Sequence, residues 1–166
     1  VYAADFVAAC DKAALVHVST CYVVGNRSGR IAEQVVDGYA PNGQPFDPQA
    51  EYEDATATVA RLEAEAESPE AEARLAERVL AVIRERGMDE SNETLKKNVA
   101  RRERQQMLKR TMAKEGEARA AKWGWPNTYT WSKSISEQLM KRKATETGIR
   151  WAVLRPSIVE SSETFP

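Results

Sequence analysis

Two short apolar runs, one near each end of the chain, give the strongest fold signal in this sequence. Residues 14–20 (ALVHVST) read as a buried β-strand with hydroxyl side chains at its C-terminal end, and residues 151–157 (WAVLRPS) read as a second buried strand that a proline stops. Between them, residues 132–147 carry apolar side chains at helical spacing, and Gly148 closes that helix. A strand, a helix and a strand with ligand groups at the strand ends are typical of an α/β protein with a doubly wound parallel sheet.

A tyrosine and a lysine four residues apart stand near the start of the same helix. Tyr129 and Lys133 lie one helical turn apart, so their phenol and ammonium groups share a face. The ammonium favours the phenolate and makes the phenol a better proton donor. Ser19 and Thr20, at the end of the first strand, could hold a carbonyl oxygen beside the phenol, which would create a site for hydride chemistry. The Tyr-x-x-x-Lys pair alone is a weak signal, because such pairs also arise by chance.

Three segments together resemble a known family. Residues 17–23 (HVSTCYV), 124–133 (GWPNTYTWSK) and 154–159 (LRPSIV) resemble the extended short-chain dehydrogenase/reductases, and most of all the fatty acyl-CoA reductases of the male-sterility type. The resemblance covers residues 3–40 and 120–166, and the stretch between them is similar only loosely.

The resemblance implies a role for each matching residue. Tyr129 would be the catalytic acid that protonates a carbonyl oxygen as hydride arrives, and Lys133 would hold the nicotinamide ribose. Thr20 would hydrogen-bond the same carbonyl oxygen, with Ser19 as the neighbour that could take its place. The implied cofactor is NADPH, and the residues expected to line it are Val18, Ser19, Tyr129, Lys133, Pro156, Ser157 and Ile158.

The chain departs from the family in its phosphate-binding turn. None of its eight glycines forms the Gly-x-Gly-x-x-Gly turn that receives a pyrophosphate at a helix N-terminus. The sequence opens on a helical pattern without a start Met and stops shortly after the third matching segment. We therefore expect an internal fragment that lacks the first βαβ unit and the C-terminal substrate region, and we predict no turnover by this chain alone.

The sequence changes character in its middle. Residues 24–50 are rich in Gly and Pro, whereas residues 51–122 are dominated by Ala, Glu, Arg, Leu and Lys, without a strand pattern. Ser68 and Pro69 begin one helix there, which Gly87 ends, and Asp89 or Ser91 begins the next. The predicted organisation is a partial Rossmann-type sheet with a long helical insertion: residues 1–50 as the central part of an NAD(P)-binding domain, 51–122 as the insertion, and 123–166 as the domain's continuation.

Charge is segregated within the insertion. Residues 51–72 hold eight acids and one Arg, whereas residues 96–114 hold eight Lys and Arg against Glu103 alone. The simpler interpretation is that these helices face each other or solvent. The functional interpretation is a basic surface for the phosphates of CoA, for an acidic acyl-carrier protein or for peripheral contact with an anionic membrane. It predicts that reversing Arg101, Arg102 and Arg104 to Glu raises the KM for acyl-CoA more than it changes kcat.

Composition limits the other classes of protein to which this chain could belong. A formal net charge of −1 argues against a nucleic-acid-binding protein, and no apolar run is long enough to cross a bilayer. No metal-ligand spacing is present, and Cys10 and Cys21 are expected to be buried, reduced thiols, which fits a cytoplasmic protein. The single histidine, His17, is expected in the core, and Arg155 in a structural ion pair.

The sequence thus predicts NADPH-dependent reduction of a long-chain fatty acyl-CoA or acyl-carrier-protein thioester to the aldehyde, the alcohol or both, with Tyr129 as proton donor. A reductase or epimerase acting on a nucleotide-sugar or a sterol keeps the same fold and remains an alternative. The other alternative is a non-catalytic helical interaction module in which residues 51–122 bind the partner.

Overall fold

The computed structural model describes residues 2–157, so Ile158 lies outside the described residues. Six α-helical or 3₁₀ segments and two strands are described. In chain order they are α1 (Tyr2–Ala8), β1 (Leu15–Val18), a 3₁₀ turn (Cys21–Val24), α2 (Pro48–Ala66), α3 (Pro69–Glu85), α4 (Glu93–Trp123), α5 (Thr128–Thr147) and β2 (Trp151–Leu154).

The chain divides into two compact units. The first comprises Val1–Tyr52 and Glu117–Pro166, and the second comprises Glu53–Gly116. Helices α2 and α4 each contribute residues to both units. The first unit contains the two strands and every residue of the predicted active site.

The two strands of the first unit pair in parallel. Leu15 lies opposite Trp151 and Val18 lies opposite Leu154. A parallel pair needs a crossover connection, and α5 precedes β2 as the sequence predicted. Parallel pairing is therefore confirmed, whereas within residues 2–157 the sheet has two strands and a larger doubly wound sheet stays a prediction.

Both strands are half-exposed, and the expectation of two fully buried strands was wrong. Val16 and Val18 are each 57% exposed and Leu154 is 55% exposed, while their neighbours along each strand are partly covered. A parallel sheet is normally covered by helices on both faces. Among the described residues of this unit, α1 packs against β1 and α5 on one side, and the alternate side chains remain in solvent. Apolar composition alone could not distinguish a strand that is covered on both faces from one that is covered on a single face.

The second unit is built on the apolar stripe of α3. Ser68 caps this helix by accepting a hydrogen bond from the Ala71 N–H at 3.2 Å, as its sequence predicted. The buried residues of this stripe are Leu75, Val79, Val82 and Ile83. Helix α4 begins at Glu93, later than predicted, because the Asn92 side chain accepts the Leu95 N–H at 3.0 Å and acts as the cap.

Charged side chains of the second unit pair with each other. Arg78 bonds the nearly buried Glu103 at 3.3 Å, and Arg104 forms an ion pair with Glu72. The acidic and basic segments therefore face each other in part, in line with the simpler interpretation of their charge. In the part of the chain that the structure describes, no helix combines enough length with enough apolar character to span a bilayer.

Candidate active site

The N-terminus of α5 is fixed by a side-chain cap. Asn127 has extended backbone, and its Oδ1 accepts a hydrogen bond from the Thr130 N–H at 2.9 Å. This satisfies one of the free N–H groups at the helix start. Gly124, just before it, has a φ of +90°, and a Cβ there would lie 3.0 Å from the backbone nitrogen of Asn42. The cap places Tyr129 in the first turn of the helix.

Removing this cap should have a modest, measurable effect. We expect Asn127→Ala to lower the free energy of unfolding by about 1 kcal/mol, because the Thr130 N–H loses its acceptor. Asn127→Ser should keep most of the stability, since serine is also a good cap. Chemical denaturation of the three proteins measures the difference, and a serine variant as unstable as the alanine variant would contradict the capping role.

The structure brings Lys133 to the C-terminal end of β1. Its Nζ donates a hydrogen bond to the Val18 carbonyl oxygen at 2.9 Å and lies 5.9 Å from the centre of the Tyr129 ring. Tyr129 is 55% exposed, so its phenol is open to a ligand. The ammonium and the tyrosine ring are thus neighbours on one helix face, as the spacing predicted, and Lys133 reaches the strand end that carries the two hydroxyls.

The hydroxyl groups of Ser19 and Thr20 differ in their hydrogen bonding. Both are buried, and the Oγ1 of Thr20 accepts the Tyr22 N–H at 3.3 Å. That bond uses a lone pair and leaves the Thr20 O–H available as a donor. The Ser19 Oγ is buried without a hydrogen-bond partner among residues 2–157. Buried polar atoms are usually satisfied, so an unpaired hydroxyl at a strand end points to a polar ligand group or water in the working protein.

Backbone pairing between the strands continues past their ends. The Ser19 N–H donates to the Leu154 carbonyl at 2.8 Å, and the Cys21 N–H donates to the Pro156 carbonyl at 3.0 Å. Thr20 and Pro156 are therefore held close to each other at the rim of the sheet. Ser157 is exposed beside them, and the predicted cofactor residue Ile158 lies beyond the described range.

His17 lies in β1, two residues before Ser19. Its Nε2 is buried without a hydrogen-bond partner among the described residues. Burial lowers the pKa of His17 below its ordinary value of 6.5, the charge of Lys133 lowers it further, and Glu137 acts in the opposite direction. The imidazole is therefore neutral near pH 7. The expectation of a core position holds only in part, because His17 is half-buried.

This depressed pKa predicts an acid sensitivity. The unfolded chain binds a proton at His17 below about pH 6.5 more readily than the folded chain does, so the free energy of unfolding should fall as the pH drops through this range. The uncharged variant His17→Gln should show a shallower loss of stability between pH 7 and pH 5. Denaturation curves across that range measure the two slopes, and equal slopes would contradict a depressed pKa.

Two buried polar residues of α5 were not anticipated from the sequence. Glu137 is 1% exposed and forms a bidentate ion pair with Arg155, whose Nε lies 3.0 Å from Oε1 and 3.2 Å from Oε2. Gln138 is 2% exposed and bonds both the N–H and the carbonyl of Tyr39, each at 3.0 Å. These contacts tie α5 to the end of β2 and to the loop before α2. The ion pair predicted for Arg155 is confirmed.

The tryptophans around the motif differ in the hydrogen bonding of their indole N–H groups. The Trp125 indole donates to the Val23 carbonyl at 2.7 Å, and the Trp123 indole donates to the buried carboxylate of Glu51 at 3.0 Å. The Trp131 Nε1 is buried and has no hydrogen-bond partner among residues 2–157.

Both thiols are free, but they are only partly buried, which corrects the expectation of buried cysteines. Cys21 stands at the sheet rim and Cys10 follows the end of α1, where less of the chain covers them. Across residues 2–157, no cluster of three His, Cys, Asp or Glu side chains is arranged to hold a metal ion.

The donor set at the rim fits a nicotinamide nucleotide. An ammonium beside an exposed phenol suits ribose hydroxyls, and a buried unpaired hydroxyl suits a polar group brought by a ligand. Lys133 and Tyr129 would hold the ribose, with Ser19 and the Pro156–Ser157 backbone beside it.

Comparison with known proteins identifies the class. The sequence model of the family described as Male sterility protein, a family of NAD-binding domains, matches residues 2–166. The chain belongs to this family, and the family resemblance drawn from its motifs is confirmed.

One curated relative can be named. Over 169 aligned residues the chain is 29% identical to the alcohol-forming fatty acyl-CoA reductase of Simmondsia chinensis. The alignment covers 99% of this chain and 27% of that relative, so the chain spans about a quarter of its length. No solved structure matches the chain significantly.

Proposed function

We propose that the intact protein containing this chain reduces long-chain fatty acyl-CoA thioesters to the aldehyde, the alcohol or both. The observation that carries the proposal is the Lys133 ammonium, 2.9 Å from the Val18 carbonyl and beside Tyr129, at the strand end that bears Ser19 and Thr20. Family membership and the name of the relative in Simmondsia chinensis support the same chemistry.

In this proposal Thr20 and Tyr129 act on the carbonyl oxygen of the substrate, and Lys133 acts on Tyr129. Thr20 donates its free O–H to that oxygen and holds it near the phenol of Tyr129. Tyr129 donates its proton to the oxygen as negative charge develops there. Lys133 stabilises the phenolate that remains. When bound, a reduced nicotinamide supplies the hydride, and the resulting hemithioacetal releases its thiol to give the aldehyde.

We propose NADPH as the cofactor and the cytoplasm as the location. The first rests on the family resemblance. The second is supported by the two free thiols, which suit a reducing compartment.

A substrate comparison tests the proposed function. The intact protein should oxidise NADPH with palmitoyl-CoA and leave UDP-sugars untouched. Turnover of a UDP-sugar or a sterol but not of the thioester would favour the nucleotide-sugar or sterol alternative. Absence of any turnover, with partner binding through residues 51–122, would favour the interaction module.

We also propose that the basic segment 96–114 faces an anionic partner, either a membrane surface or an acidic carrier protein. Arg104 already pairs with Glu72 within its unit, so Arg101 and Arg102 are the better residues to reverse. Both line a shallow depression of the second unit, together with Arg86. Weaker sedimentation of the R101E/R102E protein with anionic vesicles at low salt would support the membrane contact.

A further inference from the structure

The first unit contains a cleft to which the proposed reaction gives no role. Two adjoining depressions of ≈ 300 Å³ and ≈ 440 Å³ share Ile31, Ala32, Gln34 and Val35 of one loop as a wall. Ile31, Ala32 and Val35 make this wall largely apolar, and Val24 of the 3₁₀ turn lines both depressions. The loop itself is tied to the core, since Arg155 donates a hydrogen bond to the Gln34 carbonyl at 3.2 Å.

The lining of the cleft includes chain neighbours of the candidate active-site residues, although Thr20, Tyr129 and Lys133 do not line it themselves. Cys21, which directly follows Thr20, lines one end of it, together with Leu154 at the C-terminus of β2. Ser134, the residue after Lys133 on α5, lines the other depression. A ligand whose reactive group lies at Thr20 and Tyr129 would enter this cleft past Cys21 or Ser134.

Two arginines at the cleft have no acidic partner among the described residues. Arg27 and Arg30 line it, and both are exposed. Within residues 2–157 neither guanidinium has a hydrogen-bond or ion-pair partner, whereas Arg155 is neutralised by Glu137. Glu33 is the one other acid on the wall. Two free guanidinium groups beside an apolar channel suit a ligand that is uncharged along its length and carries phosphates at one end.

We infer that this cleft binds the CoA end of the substrate, with its pantetheine arm against residues 31–35 and its phosphates on Arg27 and Arg30. The inference rests on the proposed function and adds a location for the carrier group. It also places the phosphate contacts of CoA in the first unit, and not on the basic segment 96–114.

A comparison of two thioesters tests the inference. In the intact protein, R27E/R30E should raise the KM for palmitoyl-CoA by at least about tenfold, because two charge-assisted contacts are lost. Its kcat should stay within about twofold, since both side chains lie outside the proton-transfer site. With the N-acetylcysteamine thioester of palmitate, which has no phosphate, the KM should not change. The affinity for free CoA, measured by calorimetry, should fall in parallel.

The control is the equally charged variant R61E/R74E, whose exposed side chains lie in the second unit outside segment 96–114 and which should leave both KM values unchanged. A raised KM for palmitoyl-CoA in R101E/R102E but not in R27E/R30E would overturn the inference, as would an equal effect of R27E/R30E on both thioesters. A raised KM for NADPH in R27E/R30E would assign the arginines to the cofactor and also overturn it. If the wild-type protein reduces neither thioester, the proposed function fails, and unchanged CoA affinity in R27E/R30E would then reject the cleft separately.

Discussion

Tyr129→Phe in the intact protein should lower kcat for acyl-CoA reduction by about 10²–10⁴, with little change in KM. The substitution removes one oxygen from a side chain that is 55% exposed, so the phenol's proton is lost while the packing of α5 is retained. NADPH oxidation under saturating palmitoyl-CoA measures kcat, and the free energy of unfolding should stay within about 0.5 kcal/mol.

Tyr22→Phe is the matched control for that prediction. Tyr22 is 47% exposed and lies two residues after Thr20, but no lysine follows it four residues later. Its loss should leave kcat within about twofold of the wild type. A Tyr129→Phe protein that keeps most of its activity, or a Tyr22→Phe protein that loses as much, would remove Tyr129 from its catalytic role.

The second large effect is expected at the buried ion pair of α5. Glu137→Ala should lower the free energy of unfolding of this chain by about 3 kcal/mol, because Arg155 would keep its charge in a largely buried position without its carboxylate. The same change releases the link between α5 and the end of β2. Urea denaturation followed by circular dichroism measures the loss.

A surface pair of the same chemistry provides the comparison. Arg84 and Glu90 lie 3.0 Å apart, but their side chains are 65% and 48% exposed. Glu90→Ala should therefore cost less than about 0.5 kcal/mol. Similar losses for Glu137→Ala and Glu90→Ala would show that burial of the Glu137–Arg155 pair adds nothing to stability.

Local sequence signals predicted where helices begin and end better than they predicted which faces of the strands are covered. Ser68 with Pro69 begins α3, and Gly148, with a φ of +69°, ends α5, as their residue types indicated. Burial of the strands was not predictable from β1 and β2 themselves. An apolar strand such as 15–18 has the same sequence whether one face or both are covered, and the covering elements belong to distant parts of a chain.

The candidate site was predictable where a short motif fixes geometry. Helical spacing brings Tyr129 and Lys133 together, and the resemblance supplied the link to the end of β1, where Lys133 bonds Val18. The roles of Glu137 and Gln138 could not be read in advance, because a polar residue on a helix reads as exposed until its partners are known. A signal was nonetheless present: both lie among the apolar residues of α5, at positions where a solvated side chain is out of place.

The most direct test of the proposed reaction is to follow the transferred hydrogen. The intact protein is given palmitoyl-CoA and NADPH that carries deuterium at the transferable position, and the product is analysed by mass spectrometry. We predict deuterium on the former carbonyl carbon of the aldehyde or alcohol, and none when Tyr129 is replaced by Phe under the same short reaction time. Unlabelled product, or no reduced product from the wild-type protein, would contradict the assignment of this chain to hydride transfer onto a fatty acyl thioester.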